Sequence, residues 1–170
     1  QMKSAHINPF LTACTDVFME ATSNVLERKE VTTERIETLR FPVTVFLGIA
    51  GPLWGQVFYC FEKDTARRTA GKMMGLATPP AELDELSLSA VAELGNIMTG
   101  RAIHEFEKMD LQLILTPPSV LLGDRIEYFF SIPTVNIHFT CPFGDIVASV
   151  GLVDTQLPPE APIVVSKKLD

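Results

Sequence analysis

Apolar residues recur every three to four positions in two long stretches of the chain, and this spacing predicts amphipathic helices. The first helix runs from Asn8 or Pro9 to about Glu27, with Asn8 as its N-cap and Pro9 at the first helical position. The second long helix covers about residues 82–109. The apolar stripe of the first helix comprises Phe10, Cys14, Val17, Phe18, Ala21 and Val25.

Shorter patterns predict one more helix and six strands. Asp64 or Thr65 caps the short helix, and Gly75 ends it. Two glycines within residues 51–55 predict a hairpin between the first two strands. The charged stretch 27–37 is interpreted as a link. The predicted strands are residues 41–50, 56–61, 111–116, 126–132, 135–141 and 146–153.

The order helix, hairpin, helix, helix, strands suggests two similar halves. An offset of 73 residues places Asp16 on Ser89, Glu20 on Glu93 and Ser23 on Asn96, and an offset of about 89 places residues 55–57 on 144–146. This pattern predicts an α/β fold of the α+β type, a pseudo-symmetric β-sheet covered by helices. The length of 170 residues fits a single domain. Residues 154–170 are expected to form a mobile tail.

Composition excludes several classes of function. The formal net charge is −7, from 21 acidic and 14 basic residues, which argues against a nucleic-acid partner. The most apolar stretch, residues 41–55, is broken by glycines and prolines and is too short to span a bilayer. Three cysteines in apolar contexts indicate free thiols in a reducing compartment. We therefore expect a cytoplasmic protein that does not insert into membranes.

The long helix has one polar face that carries candidate chemistry. With Ser89 set at zero, Glu93 falls at about +40°, Asn96 at about −20° and Gly100 at about +20°. Val91, Leu94, Met98 and Ala102 lie on the opposite side, with Leu88, Gly95 and Phe106 extending that apolar face. Such a polar face is ordinarily only a solvated surface.

Two features of this helix favour more than a solvated surface. Gly95 and Gly100 each cost roughly 1 kcal/mol relative to alanine in a helix, which suggests close approach of another backbone. Asn96 is also a poor residue for a helix interior. Together these positions mark the helix as the candidate functional element.

The residues at these positions resemble the signature of the CheC, CheX and FliY chemotaxis phosphatases. That signature is Asp or Ser, Glu four residues later, Asn three further, and Pro 22 residues after the Asn. Ser89, Glu93, Asn96 and Pro118 match it in this chain. The resemblance extends from the first helix to Val153.

A second copy of the signature is incomplete. Asp16 and Glu20 match, but Ser23 stands at the Asn position and Val45 at the Pro position. One intact site resembles CheX, a single-site and dimeric member of the family. The resemblance therefore implies a homodimer with one site per chain, and the first helix is assigned a structural role only.

The resemblance also implies a reaction. The substrate would be the aspartyl phosphate of a CheY-type response regulator in chemotaxis or two-component signalling. Asn96 would orient the attacking water, since a carboxamide both donates and accepts hydrogen bonds. Glu93 would pair with a lysine of the receiver, with Ser89 at the edge of the contact, and Gly95 and Gly100 would let the receiver approach closely. Pro118 would shape the strand end beside the helix.

No cofactor or metal is expected on this chain, and Mg²⁺ would belong to the receiver. His138 and Cys141 are an odd number of residues apart in a predicted strand, so they should point to opposite faces. Two alternatives stay open at this point. The domain could dock on a receiver or flagellar-switch protein without hydrolysing anything, or it could serve only in dimerisation. Substitution of Asn96 would change nothing under the second alternative.

Overall fold

Three helices pack on one face of an antiparallel sheet in the computed structural model, which describes residues 4–33, 38–39, 41–127 and 132–155. The helices are α1 (Ser4–Thr22), α2 (Lys63–Met73) and α3 (Glu85–Glu107). The strands are β1 (Glu27–Thr32), β2 (Thr38–Leu39), β3 (Val43–Ala50), β4 (Leu53–Phe61), β5 (Ile114–Leu115), β6 (Ser119–Leu122), β7 (Ile126–Glu127), β8 (Thr134–Cys141) and β9 (Gly144–Asp154).

The strand pairing has an approximate two-fold arrangement. The order in the main sheet is β1, β8, β9, β4, β3, and both β5 and β6 pair with the outer edge of β3. The hairpins β3–β4 and β8–β9 meet through β4 and β9 at the centre. Each half also lends a strand to the other, since β1 pairs with β8 and β6 pairs with β3. This arrangement confirms the pseudo-symmetric, helix-covered sheet.

Alternate side chains of the central strands divide between two apolar layers, as the period of two in a strand requires. Val57, Tyr59 and Phe61 of β4 are fully buried toward the helices. Phe58 and Cys60 form a smaller cluster with Val147 on the other face.

The start of α1 differs from the prediction. The helix begins at Ser4, not at Asn8 or Pro9, and Pro9 lies inside it. A proline at this position removes one backbone hydrogen bond. Tertiary contacts offset the loss, because Ile7 is buried and the His6 ring lies 6.0 Å from an aromatic ring of α3.

The end of α1 also comes earlier than predicted. The helix ends at Thr22 and not near Glu27. Ser23 has a left-handed φ of 57°, and its N–H donates to the carbonyl of Met19 at 2.9 Å. Val25, predicted in the apolar stripe, is 62% exposed. The left-handed residue turns the chain out of the helix and into β1.

The strand β1 was not predicted, because its charged sequence lacks an apolar alternation. All of its residues except Thr32 are exposed, and it is held by pairing with β8 along one edge. The stretch interpreted as a link is therefore an edge strand over Glu27–Thr32. Charged side chains are common on such edges, where they discourage pairing with other chains.

The chain after α3 also departs from the prediction. The strand predicted at 111–116 is reduced to β5, and β6 was missed because Pro117 and Pro118 precede it. The strand predicted at 126–132 is present as β7, with residues 128–131 outside the described chain. Residues 156–170 of the predicted tail lie outside it too, while β9 extends to Asp154.

The short helix α2 begins one residue before its predicted caps. Glu62 holds the N-cap position without a side-chain hydrogen bond, so neither Asp64 nor Thr65 caps the helix. Asp64 lies in the first turn and pairs with Arg67 at 2.6 Å. Gly75 follows the helix with φ 69°, as a C-terminal glycine does.

Helix α3 lies close to the sheet because Gly95 has no side chain. A Cβ at Gly95 would lie 2.8 Å from Cγ1 of Val45 and 3.1 Å from Cδ2 of Tyr59. The sequence had placed Gly95 on the apolar face but also suggested it for approach by a partner. The second suggestion is wrong, because the glycine accommodates the protein's own sheet. A Cβ at Gly100 would meet no neighbouring atom of the described residues within 4 Å and would face open space.

A buried chain of hydrogen bonds fixes the same turn of α3. The Tyr59 hydroxyl donates to Oγ1 of Thr99 at 2.8 Å, and Thr99 donates to the carbonyl of Gly95 at 2.7 Å. The Tyr59 hydroxyl also hydrogen-bonds with the Cys14 thiol of α1. Burial raises the pKa of Cys14 to about 12 and the pKa of Tyr59 well above its usual value. The network is therefore neutral at physiological pH.

Gly95→Ala is expected to destabilise the protein by about 1 kcal/mol in urea unfolding. Overpacking against the stiff Val45 side chain costs about 1–3 kcal/mol, which exceeds the helix-propensity gain of about 1 kcal/mol. Gly100→Ala is the matched control and should gain about 0.5–1 kcal/mol. Equal stabilisation by both substitutions would contradict the close packing at Gly95.

Thr99→Val should cost about 1–3 kcal/mol of unfolding free energy, because the buried Tyr59 hydroxyl loses its oxygen acceptor. Thr99→Ser keeps the hydroxyl and should cost less. Hydrogen exchange of α3 amides should accelerate in Thr99→Val more than in Thr99→Ser. A native urea midpoint in Thr99→Val would show that the hydrogen bond contributes nothing.

Candidate functional site

The candidate site lies on α3, whose first turn is fixed by a side-chain cap. Asp84 is the N-cap, and its Oδ1 accepts from the backbone N–H of Ser87 at 2.8 Å and from the Ser87 hydroxyl at 2.7 Å. These hydrogen bonds lower the pKa of Asp84. The helix then runs without interruption to Glu107, inside the predicted range.

The structure places the predicted site residues on one accessible face. Ser89 and Glu93 are exposed, and Asn96 and Gly100 are half-buried. The opposite face is buried as predicted, with Val91, Leu94, Met98 and Ala102 at most 1% exposed. Within the described part of the chain, the side chains of Ser89, Glu93 and Asn96 make no hydrogen bond or ion pair. Their polar atoms are available to a partner.

Two apolar side chains beside this face were not identified from the sequence. Leu86 is 71% exposed and Ile97 is 38% exposed. At 100° per residue they lie within about 40° of Glu93 around the helix. The sequence feature that could have identified them is a hydrophobic residue at a position that the helical pattern assigns to solvent. With Glu93 and Asn96 they form a mixed apolar and polar surface, which suits contact with another protein.

Pro118 immediately precedes β6. Strand β6 connects Pro118 to the site. Val120 of β6 pairs with Val45 of β3, and Val45 packs against Gly95 of α3. Strand β6 also contacts α3. Proline at the entry to a strand restricts the backbone there, so this position agrees with a shaping role for Pro118.

The equivalent positions on α1 are arranged differently. Glu20 is exposed, but both of its carboxylate oxygens accept from Arg101 of α3, at 3.1 and 2.8 Å. Ser23 lies beyond the helix end in a left-handed conformation. The side-chain amide of the neighbouring Asn24 donates to the carbonyl of Thr22 at 2.7 Å. Among the described residues of α1, no carboxamide therefore lies at the position equivalent to Asn96.

His138 and Cys141, which were considered as metal ligands, each contact a neighbouring residue instead. His138 Nε2 lies 3.3 Å from Oγ1 of Thr32, and the Cys141 thiol donates to the carbonyl of Gly144 at 3.3 Å. Among the residues that the structure describes, no three His, Cys, Asp or Glu side chains cluster as a metal site. Over the same residues, no helix is long and apolar enough to cross a bilayer.

Comparison with known protein families identifies a family to which this chain is similar. The family model described as chemotaxis phosphatase CheX matches residues 43–140, a range that contains α3 and Pro118. The CheY-P phosphatase CheX of Thermotoga maritima is 38% identical over 95 residues, which are 56% of this chain and 60% of that protein. The chain thus spans about three fifths of the length of this relative.

Solved structures share the fold. A CheC-like superfamily protein from Shewanella sp. PV-4 has a TM-score of 0.81 at 22% identity, covering 89% of this chain and 99% of that chain. A chain of the CheX–CheY–BeF3–Mg²⁺ complex from Borrelia burgdorferi has a TM-score of 0.73 at 22% identity, covering 86% and 97%. At these identities the likeness establishes the fold alone.

Proposed function

This chain belongs to the chemotaxis phosphatase CheX family, and from that premise we propose that it hydrolyses the aspartyl phosphate of a CheY-type response regulator. The observation that carries the proposal is the pair Glu93 and Asn96, one turn apart on the accessible face of a firmly held helix. Neither side chain is used within the described chain. Two relatives add support, one named as a CheY-P phosphatase and one crystallised with CheY.

Asn96 is the proposed catalytic residue. Its carboxamide would accept a hydrogen bond from a water molecule and hold the water oxygen in line with the phosphorus. The water oxygen forms a new P–O bond while the bond between phosphorus and the aspartyl oxygen breaks. The aspartate leaves as a carboxylate, and the proton of the water passes to phosphate or solvent. An acyl phosphate is reactive enough that positioning is the main requirement.

Glu93 is the proposed anchor. Its carboxylate is exposed and would form a charge-assisted hydrogen bond with a lysine of the receiver. Ser89 lies one turn earlier at the edge of the contact, and Gly100 leaves room for the partner one turn after Asn96. Mg²⁺ belongs to the receiver in this proposal, and none of the steps assigned to this chain requires a cofactor of its own.

The proposal also includes the setting in which the protein works. A receiver-domain substrate implies action in the cytoplasm. A homodimer is proposed as well, supported by the family membership. Light scattering after gel filtration tests the dimer independently of the activity.

Asn96→Ala should reduce the acceleration of receiver dephosphorylation by about 100-fold, because a mispositioned water loses its alignment. Binding of the receiver should change little. The measurement is phosphate loss from a phosphorylated CheY-type receiver, with the native chain and each variant. Asn8→Ala removes an exposed carboxamide from α1 and serves as the control. Equal acceleration by Asn96→Ala would place the active site elsewhere, and binding without acceleration by the native chain would favour an adaptor.

Glu93→Gln should weaken receiver binding by roughly 10-fold or more, the value of one charge-assisted hydrogen bond. Calorimetric titration measures the affinity, and the rate at saturating receiver should fall less than the affinity does. Glu105→Gln removes a carboxylate from another side of α3, where Glu105 pairs with Lys108, and should bind normally. Similar losses in both variants would indicate a general charge effect.

Gly100→Gln should also weaken receiver binding without loss of stability. The position has open space around it, so the longer side chain fits the free protein and obstructs only an approaching partner. Its thermal midpoint should equal or exceed the native value. Unchanged affinity would mean that the contact does not extend to Gly100.

A further inference from the structure

The two halves of the fold carry equivalent carboxylates on neighbouring helices. Glu20 on α1 and Glu93 on α3 correspond in the 73-residue repeat, and both are exposed. The helices run in opposite directions, because Phe10 contacts Phe106 at 6.0 Å while Glu20 reaches Arg101. In a parallel pair, Glu20 would lie about 15 Å beyond Phe106. A cationic group of a docking partner therefore meets two candidate carboxylates on one helical layer.

Only Glu20 of these two carboxylates is paired with a cationic side chain among the described residues. Arg101 donates from Nη1 to Oε1 of Glu20 at 3.1 Å and from Nη2 to Oε2 at 2.8 Å. This bidentate geometry uses both oxygens and both terminal nitrogens. It lowers the pKa of Glu20 and raises the pKa of Arg101, to which Asp16 adds a second negative charge. Glu20 is thus already neutralised within the chain.

The repeat explains why no guanidinium among the described residues pairs with Glu93. The residue that corresponds to Arg101 in the first half is Arg28, 73 positions earlier. Helix α1 ends at Thr22, and the left-handed Ser23 directs the chain away. Arg28 consequently lies in β1, opposite Phe139 of β8. Because α1 is shorter than α3, Arg28 lies in the sheet and does not pair with Glu93.

We propose that Arg101, by pairing with Glu20, restricts docking of the receiver's cationic group to Glu93. Arg101 is therefore a specificity-determining residue. The inference rests on the proposed function. A receiver bound at Glu20 would meet no carboxamide at the place of Asn96, because Ser23 lies there and the amide of the neighbouring Asn24 donates to the carbonyl of Thr22. Occupation of Glu20 prevents this unproductive mode. Because an exposed ion pair is weak, its removal should change the affinity for the receiver by only a few-fold.

The test is recovery of binding in a chain that lacks the primary anchor. A CheY-type receiver activated with beryllofluoride and Mg²⁺ is titrated into Glu93→Gln and into Glu93→Gln/Arg101→Gln. The double variant should bind the receiver two- to five-fold more tightly than the single variant. It should not dephosphorylate the receiver any faster. Identical affinities of the two variants would overturn the proposal.

Two further variants separate this effect from net charge. Lys108→Gln in the Glu93→Gln background removes one positive charge at the end of α3 but leaves Glu20 and Arg101 paired. It should recover no binding. Adding Glu20→Gln to the double variant should abolish the recovery. Recovery with Lys108→Gln, or persistence without Glu20, would contradict a specific role for Arg101.

A measurement without the receiver keeps the inference separate from the proposed function. The carboxyl carbon of Glu20, followed by NMR as a function of pH, should titrate at a higher pH in Arg101→Gln than in the native chain. An unchanged Glu20 pKa would mean that the carboxylate is not paired with Arg101 and would overturn the inference. If no receiver binds the native chain while the Glu20 pKa shifts, the proposed function fails and not the ion pair.

Discussion

The packing of α3 against the centre of the sheet is the constraint on which the candidate site depends. Gly95 brings the helix backbone against Val45 and Tyr59, and the hydrogen bond between Tyr59 and Thr99 fixes the same turn. Asn96 follows Gly95 directly, so this contact sets its position and its direction. A reaction that requires a positioned water needs such rigidity more than it needs reactive groups.

The same fold shows how a duplicated arrangement can carry one candidate site. The strands repeat closely, with two hairpins meeting at the centre and two strands exchanged between the halves. The helices do not repeat, because α1 ends at Thr22 while α3 continues for about three turns beyond Asn96. This single difference in helix length removes Ser23 from the helical surface and leaves Glu20 within reach of Arg101.

Much of the site could be predicted from the sequence, because it lies on one long and regular helix. The spacing of Ser89, Glu93 and Asn96 fixes their common face whatever the helix packs against. The edge strands β1 and β6 could not be predicted in this way. Their residues are mainly exposed, and they are held by backbone pairing to distant strands, for which a local pattern gives no signal.

The sequence by itself therefore determined the helix α3, the polar face it presents and the repeat that relates the two halves, since each follows from local periodicity. Only the tertiary structure decided the role of the glycines and of the charges. Gly95 meets the sheet and Gly100 meets open space, although both occur in the same helix. Arg101 and Glu20 are 81 residues apart in the chain, and only the packing of α1 on α3 brings them together.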